Sequence, residues 1–193
     1  MKEKEINTAL VDKAILFATN AHKNTERRGK GFPYIIHPLE AMSIVATITN
    51  DPELLAAAVL HDVVEDTDYT VEDIKSEFGE RIAAIVDSES DPVFEGLSIE
   101  ESWRLRKQNA IDHLAAASID SKIVAMGDKL SNMRAIARDY NEIGDDLWNR
   151  FHTSNPADHE WHYRGLAASL KELEETAAYK EFIKLIDSVF EKR

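Results

Sequence analysis

Apolar and polar positions alternate along this chain with a period near 3.6 residues, the pattern of amphipathic helices. In residues 8–22, Leu10, Ala14, Phe17, Ala18 and Ala21 fall at helical spacing. A basic, Gly-containing stretch, KNTERRGKGFPYIIHP, interrupts the pattern, and Pro38 suits the start of a helix over roughly 38–48. Asp51-Pro52 opens another that runs to Val64; its segment Leu54 to Leu60 is apolar on every side, which makes this helix central in a core. Thr70 with Asp73 resembles a capping box, and Gly79 after Phe78 is a stop signal. A short helix over 81–87 precedes the acidic, irregular segment DSESDPVFEGLS. Ser98 with Glu101 is a better capping box, starting a helix to about 117, and a further helix covers 120–138. NEIGDDLWNRFHTSNPADHE reads as mixed or loop. Two final helices, about 160–176 and 179–191, carry Leu166, Leu170 and Leu173, then Phe182, Ile186 and Val189. Strand signals are absent, so the expected fold is all-α. No repeat or low-complexity linker breaks the chain, and 193 residues suffice for one domain, expected over 1–193 with its core at about 8–176.

Charge narrows the partners. The formal net charge is −13, which disfavours a general nucleic-acid or anionic-membrane binder, since both need a basic surface. A small anionic ligand remains compatible if local basic residues or a metal receive it. Cysteine is absent, so disulfides, zinc-thiolate sites and thiol nucleophiles are out. The start, MKEKEINTALVDK, lacks the apolar core of a signal peptide, and no apolar run approaches the ~20 residues needed to span a bilayer. A soluble cytoplasmic protein is expected, with no nucleic-acid or membrane partner; the oligomeric state leaves no signal.

One stretch demands chemistry. In AAAVLHDVVEDTDYT an apolar run ends in His61-Asp62, and Glu65-Asp66 follow within one turn. Buried charge is costly unless it is paired or bound to metal. On a continuous helix His61 and Glu65 share one face, as do Asp62 and Asp66. His61-Asp62 on its own is also an ordinary helix end. Two further segments add donors. PYIIHP places His37 just before Pro38, at a loop-to-helix junction. In SKIVAMGDKLSNMR the apolar stripe is Ile123, Met126, Leu130, Met133 and Ala137; Asp128 and Asn132 lie roughly opposite it, flanked by Val124, Ala125 and Ala135. A plain solvent face would carry more charge, so this helix is expected to line a cleft with Asp128 and Asn132 pointing in.

The ordered set His37, His61-Asp62 and Asp128 resembles the HD superfamily of metal-dependent phosphohydrolases. More finely, AHKNTERRGKGFPYIIHPLEA, AAAVLHDVVEDTDYT with EFGERIAAIV, and DKLSNMR resemble the hydrolase domain of the RelA/SpoT alarmone enzymes, especially its small stand-alone form. The similarity runs from about residue 10 to 138, and EWHYRGLAASL resembles the family's closing helix. The resemblance implies a single HD-type helical domain in which His37, His61, Asp62 and Asp128 hold one divalent ion, usually manganese. Two imidazoles and two carboxylates do form a mixed N/O set suited to such an ion. The resemblance also assigns Glu65 and Asp66 to catalysis, with a plain cap before the next helix as the competing reading for Asp66. It gives Arg27 and Arg28 a nucleotide-holding role by stacking and phosphate contact, tasks that suit arginine, and Asn132 a sugar contact. Tyr163 is assigned to a base or phosphate contact, with a core tyrosine as the competing reading. WRLRKQ reads as an exposed helix face as readily as a source of cleft charge, and is left unassigned. Departures from the family pattern are Asn24-Thr25 for Gly-Gln, Met126-Gly127 for Leu-Ala, and Ser131 for His or Tyr.

The function so implied is hydrolysis of the 3′-diphosphate of guanosine tetra- or pentaphosphate (ppGpp, pppGpp), releasing pyrophosphate and GDP or GTP. A chain of this length has no room for the synthetase domain of larger relatives. The rival readings are an HD phosphohydrolase for another nucleotide and a nucleotide sensor without turnover. A sensor could lose Glu65 and Asp66 and still bind; their presence favours catalysis.

Overall fold

The structure is a computed structural model that describes residues 7–27, 29–89, 96 and 98–191, without the side chains of residues 99 and 100. The described residues are all-α. Their only extended pairing is an isolated antiparallel bridge between Glu26 and Pro33. In chain order the helices are α1 (Ala9–Ala21), α2 (Ile36–Val45), α3 (Pro52–Leu60), α4 (Val63–Asp66), α5 (Val71–Phe78) and α6 (Glu80–Asp87). Then come α7 (Ile99–Ala116), α8 (Ile119–Ile143), α9 (Pro156–Ser169) and α10 (Ala177–Phe190), with 3-10 turns at Gly144–Arg150 and Lys171–Leu173.

Local signals set most of these boundaries. Both capping boxes form: the Thr70 hydroxyl accepts from the Asp73 N–H, and Ser98 does the same for Glu101, with the acid reaching back each time. Asp51 caps α3 with Pro52 at its first position. Pro38 falls inside the first turn of α2, where it costs no hydrogen bond. Differences arise where packing overrides pattern. α8 runs five residues past the expected 138, to Ile143, before Gly144 turns at φ 58°. Much of the segment expected to be mixed or loop is ordered, because the Gly144–Arg150 turn drives Trp148 into the core.

Two apolar clusters meet along α8. One joins α1, α3, α5 and α6 through residues such as Ala14, Leu54, Ile74 and Ile82. The other joins α8, α9 and α10 through Met133, Leu166, Phe182 and Ile186. α2 lies against α8 and contributes Val45 to the first cluster and Ile44 to the second. The crossing is close: a Cβ on Gly127 would stand 2.6 Å from the Ala41 carbonyl oxygen. Arg81 ties α6 to the cap of α3 and the start of α8 through Asp51, Glu53 and Asp120. No helix among the described residues is long and apolar enough to cross a membrane.

Candidate active site

The apolar α3 ends at Leu60, and His61 and Asp62 form a turn before α4. The expected continuous helix to Val64 is therefore interrupted. His61 Nδ1 lies 2.8 Å from the Ala58 carbonyl oxygen, which the Asp62 N–H would take in an unbroken helix. A carbonyl only accepts, so Nδ1 carries the proton and the neutral ring presents Nε2 as a lone pair. That nitrogen is buried and forms no hydrogen bond.

Around it the chain brings three other groups. His37 comes from the first turn of α2 and Asp128 from the middle of α8. His37 Nε2 is 3.1 Å from Asp128 Oδ1 and 3.4 Å from Asp62 Oδ2. His61 Nε2 is 3.1 Å from Asp62 Oδ2 and 3.6 Å from Asp128 Oδ1. The ligating atoms of His37, His61 and Asp128 all lie within 4.8 Å of one another. Two imidazole lone pairs and two carboxylates facing one point fit a divalent cation, and a buried nitrogen without a hydrogen bond is what such an ion would satisfy.

Without an ion, these groups compensate one another. Burial pushes Asp62 up, but His61 and His37 hold its carboxyl well below the usual range. Burial likewise opposes ionisation of Asp128, and Lys129, His37 and His61 outweigh it. Burial would lower His61, yet Asp62 and Asp128 raise its imidazole well above the ordinary value. Lys129 closes the cluster from outside, 2.5 Å from Asp128 Oδ2 and 3.2 Å from Glu89. Glu89 is thus a half-buried, paired residue within a segment expected to be irregular; residues 90–95 and 97 of that segment lie outside the described residues.

The cluster forms one wall of a cleft of about 600 Å³, lined by Arg27, His37, Asp62, Glu65, Asp66, Asp128, Asn132 and Tyr163. Arg27 sits on a loop in which Gly29 and Gly31 adopt φ 69° and Arg27 N–H donates to the Phe32 carbonyl. Its guanidinium lies 5.3 Å from the Tyr34 ring and donates to Asn132 Oδ1, while Asn132 Nδ2 donates to Asp128. Arg28, assigned with it, lies outside the described residues. Tyr163 faces the cleft, and burial pushes its phenol up.

Sequence reasoning missed several neighbours. Tyr34 lines the cleft and donates through its hydroxyl to Asp62 Oδ2 at 2.6 Å. Arg106 and Lys107 also line it, from α7, whereas Arg104 pairs with Asp158 and lies over Trp161. His22, 3% exposed, has no hydrogen bond at either ring nitrogen and packs its ring, tilted by 35°, 4.8 Å from that of Tyr34. Its signal was positional: it continues the buried Ala14–Ala18 stripe by one turn. Ser131 Oγ is 2.9 Å from His37 Nδ1.

The HD domain family model matches residues 14–153. The chain belongs to the HD-domain family. Its relatives within that family include a guanosine-3′,5′-bis(diphosphate) 3′-pyrophosphohydrolase of Danio rerio, MESH1. The two are 37% identical over 136 residues, covering 68% of this chain and 72% of the relative. A guanosine-3′,5′-bis(diphosphate) 3′-pyrophosphohydrolase of Haemophilus influenzae is 37% identical over 123 residues, which is 63% of this HD-domain chain but only 18% of that longer protein. Among solved structures, a metazoan SpoT ortholog described as hydrolysing ppGpp superposes with a TM-score of 0.71 at 22% identity, over 95% of this chain and 97% of the other. That likeness concerns the fold. A second similar solved structure is a crystal structure of a Listeria monocytogenes EGD-e protein, with a TM-score of 0.69 at 26% identity, over 83% of this chain and 98% of the other.

Proposed function

We propose that this HD-domain chain hydrolyses the 3′-diphosphate of guanosine 3′,5′-bis(diphosphate), and of its pentaphosphate analogue, releasing pyrophosphate and GDP or GTP. The observation that carries the reading is the cleft itself. His37, His61, Asp62 and Asp128 converge beside Glu65 and Asp66, in a chain 37% identical to a pyrophosphohydrolase of that substrate. His37, His61, Asp62 and Asp128 are the residues that would hold a divalent ion; affinity order alone favours zinc or copper, and manganese is taken from the family resemblance. Such an ion supplies charge stabilisation to the phosphoryl oxygens and lowers the pKa of water at the site.

The chain's own groups do the rest. Glu65 and Asp66 line the cleft one turn beyond Asp62, where either carboxylate is placed to take the proton of the attacking water. Water attacks phosphorus, the bond to the ribose 3′ oxygen breaks, and pyrophosphate leaves while the 3′ oxygen regains a proton. Arg27 offers a flat cation for stacking and for phosphate, and Asn132 an amide for the sugar. Together they place a polyanion in a protein whose overall charge of −13 would otherwise repel it.

The test is pyrophosphate release from guanosine tetraphosphate by metal-stripped protein, with manganese added back and Asp62→Ala in parallel. Manganese-dependent release that the variant loses is expected. An intact tetraphosphate alongside stoichiometric manganese binding would overturn the substrate assignment and favour a different nucleotide.

A further inference from the structure

His37 Nδ1 faces the Ser131 hydroxyl at 2.9 Å, and that hydroxyl donates to Glu40 Oε2 at 2.8 Å. A hydroxyl has one proton. Since Ser131 gives its proton to a carboxylate, which only accepts, its oxygen is left to accept from His37. His37 must then carry its proton on Nδ1. In the neutral ring Nε2, the nitrogen that faces Asp62 and Asp128, is thereby left as the lone pair. Behind Glu40 stands Arg134, which donates to Glu40 Oε1 at 3.3 Å and forms a two-pronged pair with Glu181 of α10 at 2.7 and 2.8 Å. Ser131 is 2% exposed, and Gly127 one turn before it lets α2 and α8 approach closely enough for the contact.

We propose that Ser131 and Glu40 are positioning residues that fix the tautomer and ring direction of His37, anchored to α10 through Arg134 and Glu181. The proposal rests on the reading of His37 as a metal-holding residue. A histidine that binds a cation is oriented by whatever its other nitrogen donates to, and removing that partner typically lowers metal affinity 10–100-fold. The usual outer partner is a carboxylate or a backbone carbonyl. Here a serine hydroxyl relays a carboxylate that reaches His37 only through it. Glu40 therefore acts through Ser131, and its effect must vanish when the hydroxyl is gone.

The experiment has two arms. The first measures manganese affinity for the wild type, Ser131→Ala, Glu40→Ala and the double variant, with the melting temperature of each metal-stripped protein as the folding control. Ser131→Ala is expected to weaken binding about 10–100-fold while remaining folded. Glu40→Ala is expected to weaken it less, and the double variant no more than Ser131→Ala alone. Affinity within twofold of wild type in Ser131→Ala, or additive losses in the double variant, would overturn the relay. The second arm needs neither metal nor turnover: nitrogen NMR of the histidine rings in metal-free wild-type protein. His37 protonated at Nδ1 in its neutral form, with that preference lost in Ser131→Ala, is expected. A neutral ring protonated on Nε2 in place of Nδ1 in the wild type would refute the proposal, even in a protein that binds no manganese.

Discussion

Asp62 receives the Tyr34 hydroxyl at 2.6 Å and lies within 3.4 Å of both imidazoles, so it joins Tyr34 to both rings of the cluster. Asp62→Ala should abolish manganese binding and turnover together; full activity in the variant would remove Asp62 from the metal-holding set. Glu65, three residues on, has a different expected signature. Glu65→Gln should leave manganese stoichiometry intact while lowering kcat about 10²-fold, the scale of lost general acid–base help. Loss of the metal instead would move Glu65 into the holding set. The four clustered residues were legible because each stands in a recognisable local motif. Their supports were not: Tyr34 and Asp62 are 28 residues apart, and His37 and Ser131 94 apart, so only folding brings them together.

The decisive contact between elements is the crossing of α2 and α8, because His37 rides on one and Asp128 on the other. Gly127 lies at its closest point, where an added Cβ would meet the Ala41 carbonyl oxygen at 2.6 Å and Val45 Cγ2 at 2.8 Å. Gly127→Ala should gain about 1 kcal/mol of helix propensity. Forcing a methyl group against backbone should cost more, for a net loss of roughly 1–2 kcal/mol. It should also weaken manganese binding, since the helices must separate. A melting temperature above wild type with unchanged affinity would show that the crossing yields freely. Periodicity found both helices but not their bounds, expected at 38–48 and 120–138 and observed at Ile36–Val45 and Ile119–Ile143. It missed the break at His61, because the cause is a side chain taking a backbone carbonyl, which leaves no trace in a hydrophobic pattern.

Across the whole molecule, the cluster couples stability to pH. In metal-free protein Asp62 and Asp128 hold the His61 imidazole well above the ordinary histidine range, so its contribution is complete below about pH 6.5 and is lost as pH rises through the raised value. Asp62 and Asp128 are depressed below 3.8, so theirs is complete above about pH 4 and is lost on acidification through the lowered values. The melting temperature of metal-stripped protein should therefore be highest between these limits and fall on the alkaline side. Added manganese competes with the proton on His61, so its stabilising effect should grow over that same alkaline range. Thermal unfolding from pH 4 to 9 with and without manganese checks both. A metal-stripped protein that gains stability above pH 7 would contradict the assignment.

The sequence by itself determined the all-α fold, several helix ends, and which residues are candidates for the chemistry, because helical period, capping and short motifs are local properties written within a few residues. The tertiary structure alone decided how those residues meet. It turned two imidazole lone pairs and two carboxylates to one point, chose which nitrogen of each ring faces inward, and brought Arg106, Lys107 and Tyr34 to the cleft. The physical reason is that tautomer, charge compensation and close approach are set by partners distant in the chain, which only packing of the helices brings within hydrogen-bonding range.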